Sequence, residues 1–146
     1  PPPPSGAPPS SNASDSPAGV EALLRRADAA RLAGDLALAE LLLERVVRDS
    51  PGDARAAVAA FTLGVIRMDR GDLPRAIAAL RRALALGAPA TLEQDCYLGL
   101  VEAELRSSAR DRALATGEEY RRRFPNGRHR RAIAALLEQP GEAPSP

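Results

Sequence analysis

Small residues recur along this chain at one fixed interval, and that interval limits what the chain can fold into. Ala39, Ala76 and Ala113 stand 37 residues apart, and Gly34, Gly71 and Ser108, five places before them, keep the same interval. The unit ends repeat as well, at Pro51, then Ala88 beside Pro89, then Pro125. A period of roughly 20–50 residues marks stacked units, because a single unit cannot bury its apolar face without a neighbour.

Each unit reads as two helices with a short break. In the second helix of unit one, Ala39, Leu42, Leu43, Val46 and Val47 fall at i, i+3, i+4, i+7 and i+8, a one-sided apolar stripe. Leu73, Ala76, Ile77, Leu80 and Leu84 repeat it in unit two, and Ala113, Leu114, Gly117, Tyr120 and Phe124 more weakly in unit three. First helices are expected over about 18–33, 54–70 and 92–106, the middle one apolar almost all round, as suits a helix flanked on both sides. A seventh helix over 128–138 carries Ala132, Ile133, Leu136 and Leu137 on one side and closes the stack.

Boundary residues agree with this division. Ser16 before Pro17 offers an N-cap with proline at the first helical position. Gly34-Asp35 and Gly71-Asp72 each set a helix-stopping glycine before a capping aspartate. Thr91 and Gln94 have capping-box spacing, and Pro51, Pro89 and Pro125 end the second helices. Period-2 alternation is absent, so strands are not expected.

The ends differ from the middle. Residues 1–17 hold seven prolines and no large apolar side chain, and 139–146 are similarly poor, so both are expected to be disordered, the first as an extended spacer. The remaining 18–138, about 120 residues, suffices for one domain that buries roughly two thirds of its unfolded surface. It divides into units 18–54, 55–91 and 92–128 and a cap over 128–138. The chain starts at proline and not at methionine, as expected of a fragment or a processed product. Net charge is +1, too small to steer the chain toward nucleic acid or a membrane, and no apolar run is long enough to span a bilayer. All 20 basic residues are arginine, which is read as coding bias. Cys96 is the only cysteine, so no internal disulfide forms.

These residues resemble tetratricopeptide repeats. Unit two matches at Leu63-Gly64, Gly71-Asp72, Ala76, Leu80, Ala83 and Leu84; unit one at Gly34-Asp35, Ala39, Leu43 and Pro51; unit three at Ala113, Tyr120 and Pro125. Departures are the period, longer than the family's, Ala27 where glycine is usual, and Gly99, two residues early in unit three. The resemblance implies an all-α, right-handed α-solenoid of three helix-turn-helix repeats plus a C-terminal capping helix. A narrower likeness, in AAFTLG (59–64) and EEYRRRFPNGRH (118–129), is to the helical-repeat regions of bacterial FecR-domain and Tol-Pal-associated envelope proteins, which implies a periplasmic module on a proline-rich spacer.

The family's pattern also implies a binding surface. First helices of such stacks line a concave groove for a peptide. The corresponding positions here are Val58, Phe61, Val65, Met68 and Asp69 in unit two, and Glu21, Leu24, Asp28, Arg31 and Leu32 in unit one. A methionine-bearing apolar surface suits adaptable binding. The alternative is that the seventh helix, or the curl of a short stack, covers that face.

Catalytic chemistry finds no footing. His129 is the only histidine, no serine lies in a nucleophile elbow, and no phosphate-loop glycine pattern is present. Neither a metal nor another cofactor is expected: one cysteine and one distant histidine do not make a metal set. Arg121, Arg122, Arg123, Arg128, Arg130 and Arg131 form the one dense charge cluster. It reads either as an anion-binding patch or as a solvated face favoured by a helix C-terminus. Aromatic residues that stack on bases are only 3% of the chain, so no nucleic-acid partner is expected. Arg67 and Glu104, one repeat apart, are candidates to pair across the second inter-unit boundary. The sequence thus points to a non-catalytic protein-interaction scaffold, with self-association or rigid spacing in an envelope protein as the alternative.

Overall fold

The computed structural model describes residues 1–3, 6 and 16–140. The spacer expected over 4, 5 and 7–15 and the tail over 141–146 lie outside the described residues. Among the described residues seven helices follow in order: α1 (Pro17–Leu32), α2 (Leu36–Asp49), α3 (Arg55–Asp69), α4 (Leu73–Ala85), α5 (Ala90–Arg106), α6 (Arg110–Arg123) and α7 (Arg130–Glu138). No strand occurs among the described residues. The helices pair as α1–α2, α3–α4 and α5–α6, each pair packs on the next, and α7 lies against α5 and α6. The fold is an all-α solenoid of three helical hairpins closed by a last helix.

Local chemistry explains the hairpins. Ser16 Oγ accepts from the Gly19 amide at 3.0 Å to start α1, with Pro17 in its first turn. Gly34 and Gly71 adopt φ of 79° and 78°, and the following Asp35 and Asp72 accept from the amides of Leu38 and Arg75. The Asp35 amide reaches back to the Ala30 carbonyl at 2.8 Å, and that of Asp72 to the Arg67 carbonyl at 2.9 Å, the six-to-one closure of a left-handed helix stop. Unit three builds the same turn from poorer residues. Ser108 takes φ 60°, the Ala109 amide bonds the Glu104 carbonyl at 2.8 Å, and no side chain caps α6.

Two boundary expectations are corrected. Pro89 does not end α4; Gly87, at φ 81°, does, and Pro89 stands before the first residue of α5. The Thr91–Gln94 capping box does not form. The Gln94 side chain instead accepts from the Tyr120 hydroxyl at 2.9 Å and the Arg128 amide at 3.0 Å.

The core is built of alanine and leucine. Ala39, Ala76 and Ala113, the repeat's signature, are all fully buried, which lets the helices of each hairpin approach closely. Leu80 of α4 is also fully buried, and it lies between two glycines. A Cβ on Gly64 of α3 would come within 2.8 Å of its Cγ, and one on Gly99 of α5 within 3.1 Å of its Cδ1. Gly99, out of step with the family pattern, therefore has a packing reason of its own.

Candidate functional site

The face formed by the first helices is set up by the ends of α1, α3 and α5. These helices stop at Leu32, Asp69 and Arg106, one repeat apart, so side chains at equal offsets from each stop stand in equivalent places. Their starts are linked where the Arg55 guanidinium of α3 donates to the Pro17 carbonyl at 3.0 Å. At the far end Arg106 donates to the Met68 carbonyl at 3.1 Å, which joins α5 to α3.

On this face Val58 and Val65 are 46% and 38% exposed, one turn to either side of half-buried Phe61. Leu24 is half-buried, and Asp28, Arg31 and Asp69 are exposed. Arg31 and Asp28 approach to 4.0 Å. Glu21 accepts from Arg25 at 3.3 Å, and Leu32 is largely exposed. Met68 does not join them. It is 8% exposed and packs with Ala76, Leu80, Leu100 and Ala103, because α3 is wrapped on that side by α4 and α5.

The arginine cluster is partly spent on the protein's own structure. Arg121 pairs with Glu118 at 2.7 Å, holding the Glu118 carboxyl below the usual range. Arg123 pairs with Glu93, and Arg128 with Asp95 and the Thr91 carbonyl. Arg130 donates to the Pro125 carbonyl at 3.4 Å, while Arg122 and Arg131 are exposed. The bonds of Arg123 and Arg128 fasten the α6–α7 corner onto α5. His129 belongs to the same corner: its Nε2 lies 2.6 Å from Asp95 Oδ1, and its amide donates to the Tyr120 hydroxyl at 3.0 Å. Tyr97, Tyr120 and Phe124 stack on one another edge-on or tilted, with centroids 5.4–6.2 Å apart.

Arg67 and Glu104 do not pair. Buried Arg67 of α3 bonds Glu40 and Glu44 of α2, and Arg70 adds a second cation to Glu40. Fully buried Glu104 of α5 accepts from Arg81 of α4 at 2.6 Å and from the Thr116 hydroxyl of α6 at 2.7 Å. Equal offsets along the repeat give equivalent positions, not contacts. The contact runs from the second helix of one unit to the first helix of the next.

Two titratable groups are displaced by the core. Burial pushes the Cys96 thiol up to about 12, with the Asp95 and Glu93 carboxylates acting in the same direction. Burial likewise raises the Tyr97 phenol to about 12, helped by the hydrogen bond it donates to Glu119 at 2.8 Å, which ionisation would remove. No helix of the described residues is long and apolar enough to cross a membrane.

A family model described as tetratricopeptide repeat matches residues 11–54 and 61–128. Neither the curated proteins nor the solved structures gave a match.

Proposed function

Because the chain belongs to the tetratricopeptide repeat family, we propose that it is a non-catalytic scaffold that docks a segment of a protein partner on the face of its first helices. The observation that carries this reading is the exposure of Val58 and Val65 around Phe61. Apolar side chains left open on the middle helix of a stack are hydrated at a free-energy cost that burial under a docked chain removes. Repeats of this family generally mediate protein–protein interaction, and their fold is a scaffold without catalytic machinery.

The test is selection of peptides against the folded protein, followed by amide hydrogen exchange. Protection concentrated in α1, α3 and α5, and lost in Val58→Glu/Val65→Glu, supports the reading. Protection confined to α2, α4 and α6 sinks it.

A second reading, self-association, is favoured by Leu38 and Leu41, which are 37% and 63% exposed on α2. Light scattering separates the two: a monomer at high concentration removes it. The envelope setting rests on the likeness of 59–64 and 118–129 to FecR-domain and Tol-Pal-associated proteins. The sequence of the full-length gene product tests it, since a leader or membrane anchor upstream fits that setting and a cytoplasmic domain does not.

A further inference from the structure

The first-helix face carries a charge pattern that restricts its partner. Counting one repeat back and one forward from Val58, Phe61 and Val65 gives Glu21, Leu24 and Asp28 in α1, and Asp95, Leu98 and Glu102 in α5. The middle row, Leu24, Phe61 and Leu98, is apolar and half-buried in all three units. The rows on either side are valine in the central unit and carboxylate in the outer two.

Not all of these carboxylates are occupied. Glu21 accepts from Arg25, Asp95 is held by Arg128 and His129, and Asp28 lies near Arg31. Glu102 in the outer row and Asp69 at the end of α3 have neither an ion pair nor a hydrogen bond among the described residues. Glu102 flanks the apolar row, and Asp69 lies one turn beyond Val65 in a row completed by Leu32 and Arg106; Arg106 is engaged with the Met68 carbonyl, so both carboxylates are open to a cation from a partner.

We propose that the segment docked on this face is basic and amphipathic: apolar anchors on the Leu24–Phe61–Leu98 row, with arginine or lysine reaching Asp69 and Glu102. The inference rests on the docking face proposed above. Residues 1–15 and 139–146 contain no basic residue and no large apolar one, so neither of these two segments supplies the anchors or the charge. A second copy, whose Arg122 and Arg131 are exposed and carry no ion pair among the described residues, is the rival occupant, and a dimer seen by light scattering without peptide would overturn the proposal. Apolar contacts supply most of the affinity in this arrangement, and the carboxylates set which sequence is accepted.

The experiment titrates isotope-labelled protein with two short synthetic peptides of identical leucine spacing, one with arginine and the other with glutamate at the intervening positions. The arginine peptide is expected to shift amide resonances of α1, α3 and α5 and to bind more weakly as salt is raised. Asp69→Asn/Glu102→Gln is expected to weaken it about tenfold, the loss of ~1.4 kcal/mol. Neither residue has a partner to lose, and an unchanged thermal midpoint verifies that this variant is folded. Equal binding of both peptides at first-helix amides overturns the charge inference and leaves the docking face standing. Shifts confined to the second helices, or no binding by either peptide, overturn both.

Discussion

Arg81 donates to Glu104 at 2.6 Å from positions that lie one repeat beyond Glu44 and Arg67, a pair of the same geometry with acid and base exchanged. The second helix of each unit thus meets the first helix of the next through an ion pair at the same offset, acid-to-base at the first boundary and base-to-acid at the second. A unit slid to the wrong boundary would set like charges together. The alternation therefore specifies the order of the stack more than it adds stability.

Glu104 is fully buried while Arg81 is about half exposed, so the two ends of this pair respond differently. Arg81→Ala leaves Glu104 with Thr116 alone and is expected to cost about 1–3 kcal/mol, the penalty of an undersatisfied buried acceptor. Arg81→Glu is expected to cost more, and adding Glu104→Arg to recover part of the loss. Urea midpoints in a double-mutant cycle measure the coupling; additive effects would show that the pair contributes nothing.

The third hairpin turn can be improved. Ser108 holds the left-handed conformation that glycine holds in the other two turns, at a cost of roughly 1–2 kcal/mol for a residue with a Cβ. Ser108→Gly is expected to raise stability by about 0.5–1 kcal/mol, the gain being reduced by the greater freedom of glycine in the unfolded chain. Ala109→Asp restores the missing cap for about 1 kcal/mol more. A thermal midpoint that falls in both variants would contradict this account of the turn.

Overpacking is the expected failure at the hairpin core. Gly64→Ala drives a methyl group into Leu80, which Gly99 prevents from retreating, and Ala76→Leu widens the same α3–α4 contact. Each is expected to cost on the order of 1–3 kcal/mol. Denaturant midpoints that stay at the wild-type value would disprove the close approach.

Alkaline pH should weaken the fold from a definite place. Cys96 and Tyr97 have folded pKa values of about 12, above ordinary values of 9.0 and 10.0. Between those limits the unfolded chain has released protons that the folded chain retains. Their contribution is therefore fully present below pH 9 and is lost as pH rises toward 12. Cys96→Ala is expected to flatten that decline, read from urea midpoints across the range. In the folded protein Cys96 should resist thiol reagents at neutral pH and label only on unfolding.

The architecture was legible in the sequence because alanine and glycine carry it: the interval from Ala39 to Ala76 to Ala113 fixes both the number of hairpins and the face each buries. Long-range polar pairing was less legible. Arg67 and Glu104 invited pairing because they share an offset, yet the bonds join residues 23 apart, Glu44 to Arg67 and Arg81 to Glu104. Opposite charges at that separation in two successive units were the available signal. Gln94 follows a related logic: its spacing from Thr91 fits a local cap, but the Tyr120 hydroxyl of α6 and the Arg128 amide of the turn after it claim its side chain instead. Met68 shares a face with Val65 on an isolated helix, and only the wrap of α4 and α5 around α3 removes it from that surface.

Leu80 touches the places of Gly64 and Gly99 at once, so a single side chain spans the seam inside the second hairpin and the seam between the second and third. Loosening either seam strips contacts from the other. The second and third hairpins are therefore expected to lose their packing together, since each draws contacts from the same side chain.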